Sequence, residues 1–184
     1  WPQRARVATT TEVVAAARDA GDVQLIDVRT HEEHVGIDVR AIRGGHIPGS
    51  VNIPFELNWR DPLAARKLAA RQVGDNAGMA LKDRDALLDL YSVLDPNRPT
   101  IVYCRSGTRS AVTAAVLEDL GFRDVRVYDD SWLGYAARLD APAVNESFVN
   151  VGRLLQELRA LKARLDAVEH RQRGDAPARV VGAS

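Results

Sequence analysis

The sequence predicts an α/β fold in which helices flank a largely parallel sheet and a further helix follows at the C-terminal end. Short apolar runs alternate with helix-length segments as far as residue 128, an order that is typical of parallel strands joined by helical crossovers. Beyond Pro142 the apolar residues recur at spacings of three and four, which indicates one long helix. A chain of 184 residues is long enough for one domain with a full core and an appendage.

The first half of the chain holds two predicted strands and three predicted helices. The first helical segment stops at Gly21, and the apolar run after it has the length of a buried strand. Residues 44–50 are dense in glycine, proline and serine, which predicts a loop leading into a second strand that ends at Pro54. The predicted elements, in order, are a helix over 11–20 capped by Thr11, a strand over 23–28, a strand over 51–53, and helices near 62–72 and 83–94.

The second half of the chain continues the alternation. A strand is predicted over 100–103, and a helix over about 109–120 ends at Gly121, a residue common after helix C-termini. Residues 125–128 form the last predicted strand. Ligands of parallel sheets bind at the carboxyl ends of the strands. That edge is expected to carry Asp27, Arg29, Cys104 and Asp129.

The C-terminal segment has the pattern of a short coiled coil, with charges that match across a parallel dimer. When Val151 is placed at heptad position a, Glu157 falls at g and Lys162 at e. Arg164 and Glu169 are the next g and e residues. Both g-to-e′ pairs are therefore opposite in charge. The apolar residues at a and d are Val151, Leu154, Leu158, Leu161, Leu165 and Val168.

Two interpretations of this segment remain open. The helix can pair with a second copy of the chain through residues 151–168, or it can fold back on its own domain, for which Leu155 widens the apolar face. The expected organisation is a domain over 1–142, a helix with a short coiled coil over 143–172, and a flexible tail over 173–184.

The single cysteine, Cys104, follows a predicted strand and precedes a predicted helix. In such a loop, successive backbone N–H groups and the helix dipole form a cradle for an anion. A helix N-terminus and nearby cations also lower the pKa of a thiol, so Cys104 is a predicted nucleophile. A lone cysteine is more often a small buried apolar residue, but Arg105, Gly107 and Arg109 in the same loop favour the nucleophile.

The composition excludes several classes of partner. Lys plus Arg is 25 and Asp plus Glu is 25, so no overall basic field attracts nucleic acid. No apolar run approaches the roughly 18 residues of a membrane span, and no Cys or His pair has zinc spacing, so neither a membrane span nor a metal is expected. The chain begins at Trp1 rather than Met; the compartment stays open, with export to the periplasm after N-terminal processing favoured over a cytoplasmic location.

Four segments in this order resemble the rhodanese family of sulfurtransferases, over about residues 7–140. The phrase Arg43-Gly44-Gly45-His46 and the insert before the cysteine strand are similar to the catalytic half of two-domain thiosulfate or mercaptopyruvate sulfurtransferases. The four segments are Leu25-Ile26-Asp27-Val28-Arg29, Gly45-His46-Ile47-Pro48-Gly49-Ser50-Val51-Asn52, Tyr103-Cys104-Arg105-Ser106-Gly107-Thr108-Arg109-Ser110 and Tyr128-Asp129-Asp130-Ser131-Trp132.

This resemblance implies a ping-pong transfer of sulfur. Cys104 would attack the outer sulfur of thiosulfate, become a persulfide, and pass that sulfur to cyanide, a thiol or a protein. Neither a metal nor an organic cofactor is implied. The expected partners are a small sulfur-donor anion and a protein sulfur acceptor. Arg105 directly follows the cysteine, where mercaptopyruvate enzymes usually place a glycine, so thiosulfate is the favoured donor and mercaptopyruvate the second.

The resemblance also implies roles for the residues around the cysteine. Two alternatives stay open: Arg109 can form a structural salt bridge, and Trp132 can pack in the core. Glu33 departs from the two-domain enzymes, which tend to have an arginine about four residues after the one matching Arg29. The expected substrate-binding residues are Arg105, Ser106, Gly107, Thr108, Arg109, Arg43 and Trp132, and the expected supports of the site are Asp27, Arg29 and His46.

Rival functions fit the sequence less well. Dual-specificity phosphatases have five residues between cysteine and arginine, whereas four separate Cys104 from Arg109, and the tighter loop suits a sulfur atom better than a phosphate. Arsenate reduction would usually need a second thiol. The alternative from another class is a partner-docking sulfur-relay or assembly module with little turnover of free substrates. Inactive modules of that kind commonly lack the cysteine, so Cys104 argues against it.

Overall fold

The computed structural model describes residues 7–19 and 21–174, with side chains as far as Arg171. Its strands are β1 (Val7–Ala8), β2 (Gln24–Asp27), β3 (Gly44–His46), β4 (Ser50–Asn52), β5 (Thr100–Tyr103), β6 (Val125–Tyr128) and β7 (Val144–Ser147). Five of them form a parallel sheet in the order β1-β6-β5-β2-β4, and β3 pairs antiparallel with β7. The predicted α/β class with a largely parallel sheet is confirmed.

The described helices lie between the strands, apart from the long last one. A 3-10 turn over Phe55–Asn58 and another over Ala77–Met79 occupy the insert before β5. The helices are α1 (Thr10–Arg18), α2 (His31–His34), α3 (Ala64–Ala69), α4 (Arg84–Leu90), α5 (Thr108–Leu120), α6 (Ser131–Ala137) and α7 (Val151–Gly174).

The ends of the helices follow capping chemistry. The hydroxyl of Thr9 accepts from the N–H of Glu12, and the Glu12 carboxylate accepts from the N–H of Thr9. The predicted cap, Thr11, was therefore wrong, because this reciprocal arrangement needs an acidic residue three positions later, which only Thr9 has. The end of α5 at Gly121 is confirmed, with Gly121 in the left-handed region at φ +103°.

The two faces of the sheet bury separate apolar clusters, because successive side chains of a strand point to opposite faces. Leu25 and Ile101 belong to one cluster. Ile26, Val102 and Cys104 belong to the other, together with the buried face of α5. This alternation places the cysteine on the face of the sheet that α5 covers.

Several elements differ from the sequence-based expectations. Residues 143–147, predicted to begin the C-terminal helix, instead form β7, which pairs with β3. The chain divides into two compact units, one ending at Phe148 and the other beginning at Val149, so the predicted boundary after residue 142 was too early. β3 occupies part of the predicted loop over 44–50, because its backbone is paired even though its sequence is rich in turn residues.

The second unit is the helix α7, which spans 24 residues. The predicted long C-terminal helix is thus present, and its apolar side chains are exposed along the helix. The first two residues of the predicted flexible tail, 173–184, continue α7, and residues 175–184 lie outside the described part of the chain.

Candidate functional site

The cysteine follows β5 at the carboxyl edge of the sheet. All four residues of β5 are buried, and the parallel register places Asp27 of β2 beside Tyr103. Cys104 comes directly after Tyr103, and Asp129 directly follows β6. The sheet therefore brings Asp27, Cys104 and Asp129 to one edge, as the strand order requires.

Hydrogen bonds to the sulfur favour the thiolate of Cys104. The side chain is buried, 1% exposed, and burial alone raises the pKa of the thiol. The backbone N–H groups of Ser110, Ser106 and Arg109, with the Ser110 hydroxyl, outweigh burial, so the pKa of Cys104 is lowered. The Ser110 Oγ lies 3.7 Å from the Cys104 Sγ. This arrangement at the start of α5 is an anion cradle.

Ser131 fastens the cysteine loop to the start of α6. Its buried hydroxyl accepts from the N–H of Cys104 at 3.2 Å and of Gly107 at 3.1 Å, and donates to the Tyr128 carbonyl at 2.8 Å. The Trp132 N–H also donates to the Cys104 carbonyl. Sequence reasoning gave Ser131 no role of its own, since its only marker was membership of a segment that resembles the family.

Gly107 is the turn residue of the loop, with φ +92°. A Cβ at this position would collide with a carboxylate oxygen of Asp129. The backbone conformation therefore requires glycine, and a Cβ would in addition displace the exposed Asp129 side chain. Gly107 thus shapes the cradle, as its place in the predicted loop implied.

Arg105, Ser106 and Thr108 form the outer side of the loop. Ser106 and Thr108 are exposed, and Arg105 is half-buried. Within residues 7–19 and 21–174, the structure shows no hydrogen bond or ion pair from the Arg105 guanidinium. Arg105 is therefore the cation beside Cys104 that is available to an anion.

Arg109 forms a salt bridge with Glu33. The Arg109 Nη1 and Nη2 atoms donate to the Glu33 carboxylate at 2.9 and 3.2 Å, and Glu33 is 1% exposed. Glu33 raises the pKa of Arg109 in spite of partial burial, which lowers it. Of the two interpretations of Arg109, the structural salt bridge is the one that the structure shows. Sequence reasoning noticed Glu33 only as a departure from a pattern and missed its partner.

Arg43 lies in a structural position rather than in the predicted substrate-binding set. It is 1% exposed, and its guanidinium donates to Glu146 at 2.6 Å and to the carbonyls of Arg138 and Ala141. These contacts and its burial give Arg43 a structural position, although its buried Nε has no hydrogen-bond partner among the described residues. The expectation that Arg43 binds the donor is corrected accordingly.

Trp132 is also a core residue in this structure. It is 1% exposed, its indole N–H donates to the Arg43 carbonyl at 3.0 Å, and its ring faces the Arg29 guanidinium at 4.6 Å. Of the two interpretations of Trp132, substrate binding and core packing, the structure shows core packing. Through its backbone N–H it still helps to hold the carbonyl of Cys104.

Asp27 and Arg29 form a buried ion pair at the edge of the sheet. Arg29 donates to both carboxylate oxygens of Asp27 and to the Gly45 carbonyl, and Asp27 also accepts from His34 and from the Tyr103 hydroxyl. Burial raises the pKa of Asp27, but these hydrogen bonds, from His34 first and then Arg29, lower it overall. The pair links the end of β2 to the Gly45 carbonyl of β3, and its role as a support of the site stays a prediction.

His46, the third predicted support, contacts His34. Its Nδ1 donates to the His34 carbonyl at 2.9 Å, and its ring stacks on that of His34 with 3.6 Å between ring centroids. Burial lowers the pKa of His46. Through these contacts the ring of His46 joins β3 to α2.

No group of three or more His, Cys, Asp or Glu side chains is placed to hold a metal ion among the residues that the structure describes. None of the helices in that part of the chain has both the length and the apolar composition to cross a bilayer.

Comparison with curated proteins identifies sulfurtransferase relatives. The chain is 36% identical over 128 residues to a probable 3-mercaptopyruvate sulfurtransferase of Schizosaccharomyces pombe, which covers 68% of this chain and 39% of the relative. It is 36% identical over 149 residues to a thiosulfate sulfurtransferase of Corynebacterium glutamicum, covering 76% of this chain and 43% of the relative. The chain thus spans about two fifths of the length of these relatives.

Solved structures share the fold at low sequence identity. The Tum1 protein from Saccharomyces cerevisiae aligns with a TM-score of 0.60 at 20% identity, over 79% of this chain and 48% of its own. The 3-mercaptopyruvate sulfurtransferase from Leishmania major aligns with a TM-score of 0.56 at 17% identity, over 75% of this chain and 34% of its own. A family model described as rhodanese-like domain matches residues 10–138. The chain therefore belongs to the rhodanese-like domain family.

Proposed function

We propose that this chain is a sulfurtransferase that moves sulfane sulfur from thiosulfate, through a persulfide on Cys104, to cyanide, a thiol or a protein acceptor. The observation that carries the proposal is the buried Cys104 thiol at the N-terminus of α5, with a pKa lowered by three backbone N–H groups and the Ser110 hydroxyl. The names of the curated relatives support the same class of reaction.

The proposed reaction has two steps. The Cys104 thiolate attacks the outer sulfur of thiosulfate, a sulfur–sulfur bond to the enzyme forms, and sulfite leaves with the electron pair of the broken bond. The acceptor then attacks the outer sulfur of the persulfide, which restores the thiolate; with cyanide the product is thiocyanate. The N–H groups around the sulfur stabilise the anionic persulfide without rearranging. No metal or organic cofactor takes part in this scheme.

The charges around the loop favour a small anionic donor. Arg105 is the cation left for the donor, because Arg109 is paired with Glu33. Cys104 is 1% exposed, so a compact donor reaches the sulfur more readily than a bulky one. We therefore place thiosulfate first and mercaptopyruvate second.

Intact-mass spectrometry tests this proposal. The purified protein is incubated with thiosulfate, or in parallel with mercaptopyruvate, and its mass is measured before and after addition of cyanide. We expect the thiosulfate sample to gain the mass of one sulfur atom and cyanide to remove it, while Cys104→Ser gains nothing. A gain that persists in Cys104→Ser would contradict the assignment of Cys104. No gain with either donor would contradict the free-substrate enzyme and leave a docking or relay module as the function.

A further inference from the structure

Helix α7 presents an apolar seam at heptad spacing. Its six members are 45% to 61% exposed in this structure. Runs of large apolar residues that stay exposed mark surfaces for a partner. The seam consists of Val151, Leu154, Leu158, Leu161, Leu165 and Val168.

The charged residues beside the seam are complementary to those of a second, identical helix. Glu157 precedes Lys162 as a g-to-e′ pair, and Arg164 precedes Glu169 in the same relation, so two identical helices lying in parallel bring opposite charges together at both places. Glu157 is engaged with Arg153 of its own helix at 2.9 Å, but both side chains are more than half exposed. Such a surface pair is weak, so Glu157 can turn to a second helix.

We propose that α7 pairs with α7 of a second copy of this chain in a parallel, two-stranded coiled coil. The parallel arrangement satisfies each of the two g-to-e′ pairs twice, once on either side of the seam. An antiparallel pair with the same apolar layers would place Glu157 against Arg164 but would leave Lys162 facing Leu155. The parallel arrangement therefore pairs more of the charges.

The width of the seam favours two strands over a larger bundle. Charged residues flank positions a and d from the end of the first heptad onward: Glu157, Lys162, Arg164 and Glu169. A bundle of more helices would bury these e and g positions, where charged residues are costly without partners. Only Leu155 widens the apolar face, in the first heptad.

Sedimentation of the full chain tests the pairing. We expect wild-type protein to sediment at twice the mass of the chain, and Leu158→Glu, at a central a position, to sediment at the mass of one chain. Ala163→Glu is the matched control, because it adds the same charge at position f on the outer face of α7, and we expect it to remain a dimer. A wild-type monomer, a trimer or larger assembly, or a dimer that Leu158→Glu leaves unchanged would overturn the proposal.

A cysteine cross-link tests the orientation. In a Cys104→Ser background the chain has no other thiol, and Leu154→Cys places one at a d position near the start of α7. In a parallel dimer the two new thiols meet, and we expect a disulfide-linked dimer under mild oxidation. In the antiparallel alternative Leu154 lies level with Leu165, about 16 Å along the helix from its counterpart, and the absence of a cross-link in a dimer would overturn the parallel assignment. Neither readout depends on sulfur transfer.

Discussion

The pKa of the Cys104 thiol depends on which hydrogen-bond donors face its sulfur. Three of those donors are backbone N–H groups, which no side-chain substitution removes. Two hydroxyls also face the Sγ atom, that of Ser131 at 3.9 Å and, closer, that of Ser110 at 3.7 Å. The Ser110 hydroxyl has one hydrogen and also lies 2.6 Å from the Gly107 carbonyl, so the sulfur receives only part of its hydrogen-bonding capacity.

Ser110→Ala tests this donor through the pH dependence of sulfur capture. The thiolate is the nucleophile, so the rate of persulfide formation rises with pH through the pKa of Cys104 and then levels off. Because the pKa of Cys104 is lowered in part by Ser110, we expect the midpoint of this rise to move to higher pH in Ser110→Ala, by less than about one unit. The measurement is the single-turnover rate with thiosulfate across pH.

The control for this variant is Ser92→Ala, since Ser92 is exposed after α4. The Gly107 carbonyl keeps the N–H of Ala111 as a donor at 3.0 Å, so Ser110→Ala leaves no orphaned carbonyl in the loop. An unchanged midpoint in Ser110→Ala, or an equal change in Ser92→Ala, would show that the hydroxyl does not act on the sulfur.

At the same scale, the sequence predicts contiguous features of the site and misses its distant partners. The loop from Cys104 to Arg109 could be identified because the cysteine, the arginines and the turn glycine are neighbours in sequence. The carboxylate that pairs with Arg109 is 76 residues away, on Glu33, and Ser131 is 27 residues from Cys104. Such contacts follow from the strand order, which a single sequence does not provide.

At the scale of elements, the turn into α5 and the turn out of it both use a glycine with positive φ. Gly107 has φ +92° and Gly121 has φ +103°. Around Gly121 there is open space for a Cβ, whereas at Gly107 a Cβ would collide with Asp129. The two positions therefore share a backbone requirement but differ in their surroundings.

Gly107→Ala and Gly121→Ala form a matched pair of variants. We expect Gly121→Ala to lower the free energy of unfolding by about 1–2 kcal/mol, the cost of a left-handed conformation for a residue with a Cβ, and to keep its rate of sulfur capture. Gly107 has ψ −38° and so lies outside the αL region that Gly121 occupies at ψ 13°, which makes its backbone cost for alanine at least as large. Because Gly107→Ala must also displace Asp129 beside the cysteine loop, we expect a larger loss of stability and a large loss of that rate. Urea unfolding and single-turnover kinetics measure the two effects. Equal activity in both variants would contradict a special role for the turn at Gly107.

Elements with a regular pattern were predicted well, and those set by tertiary context were not. The strand over Thr100–Tyr103 was predicted correctly because four consecutive residues with strand propensity precede a loop. The helix α6 was not predicted, since it begins at Ser131 with φ +50°, an uncommon conformation for serine. β7 has only one apolar residue in four, too few to predict a strand from the sequence. This segment is a strand because its backbone pairs with β3.

At the scale of the whole molecule, Asp27 joins three parts of the fold. It ends β2, and its carboxylate accepts hydrogen bonds from Arg29, from the Tyr103 hydroxyl at the end of β5 and from His34 of α2. Asp27 and Arg29 are 0% and 2% exposed. The charge of Asp27 therefore compensates the buried guanidinium of Arg29. The hydrogen bonds of its carboxylate connect β2 and β5 to α2.

Asp27→Asn should destabilise the whole domain at neutral pH. Asparagine keeps the size of the side chain but removes the carboxylate that is hydrogen-bonded to Arg29, and breaking such a buried pair costs about 3–5 kcal/mol. The control is Asp61→Asn, because Asp61 also accepts from a cation, Lys67, but is 33% exposed. We expect a lower urea midpoint for Asp27→Asn and little change for Asp61→Asn at pH 7.

The pH dependence of the difference in urea midpoint between wild type and Asp27→Asn distinguishes an effect of charge from an effect of side-chain shape. The pKa of Asp27 is lowered in the folded state, so its contribution to stability is fully present above the unfolded pKa, near ~3.9, and is lost as pH falls through the folded pKa. Once Asp27 is protonated in the wild-type domain, its side chain is as uncharged as asparagine. The gap between the urea midpoints of wild type and Asp27→Asn should therefore be constant from pH 7 to about pH 5 and shrink below about pH 4. A gap that persists at pH values where the wild-type carboxyl is protonated would mean that the shape of the carboxyl group, rather than its charge, holds the edge of the sheet together.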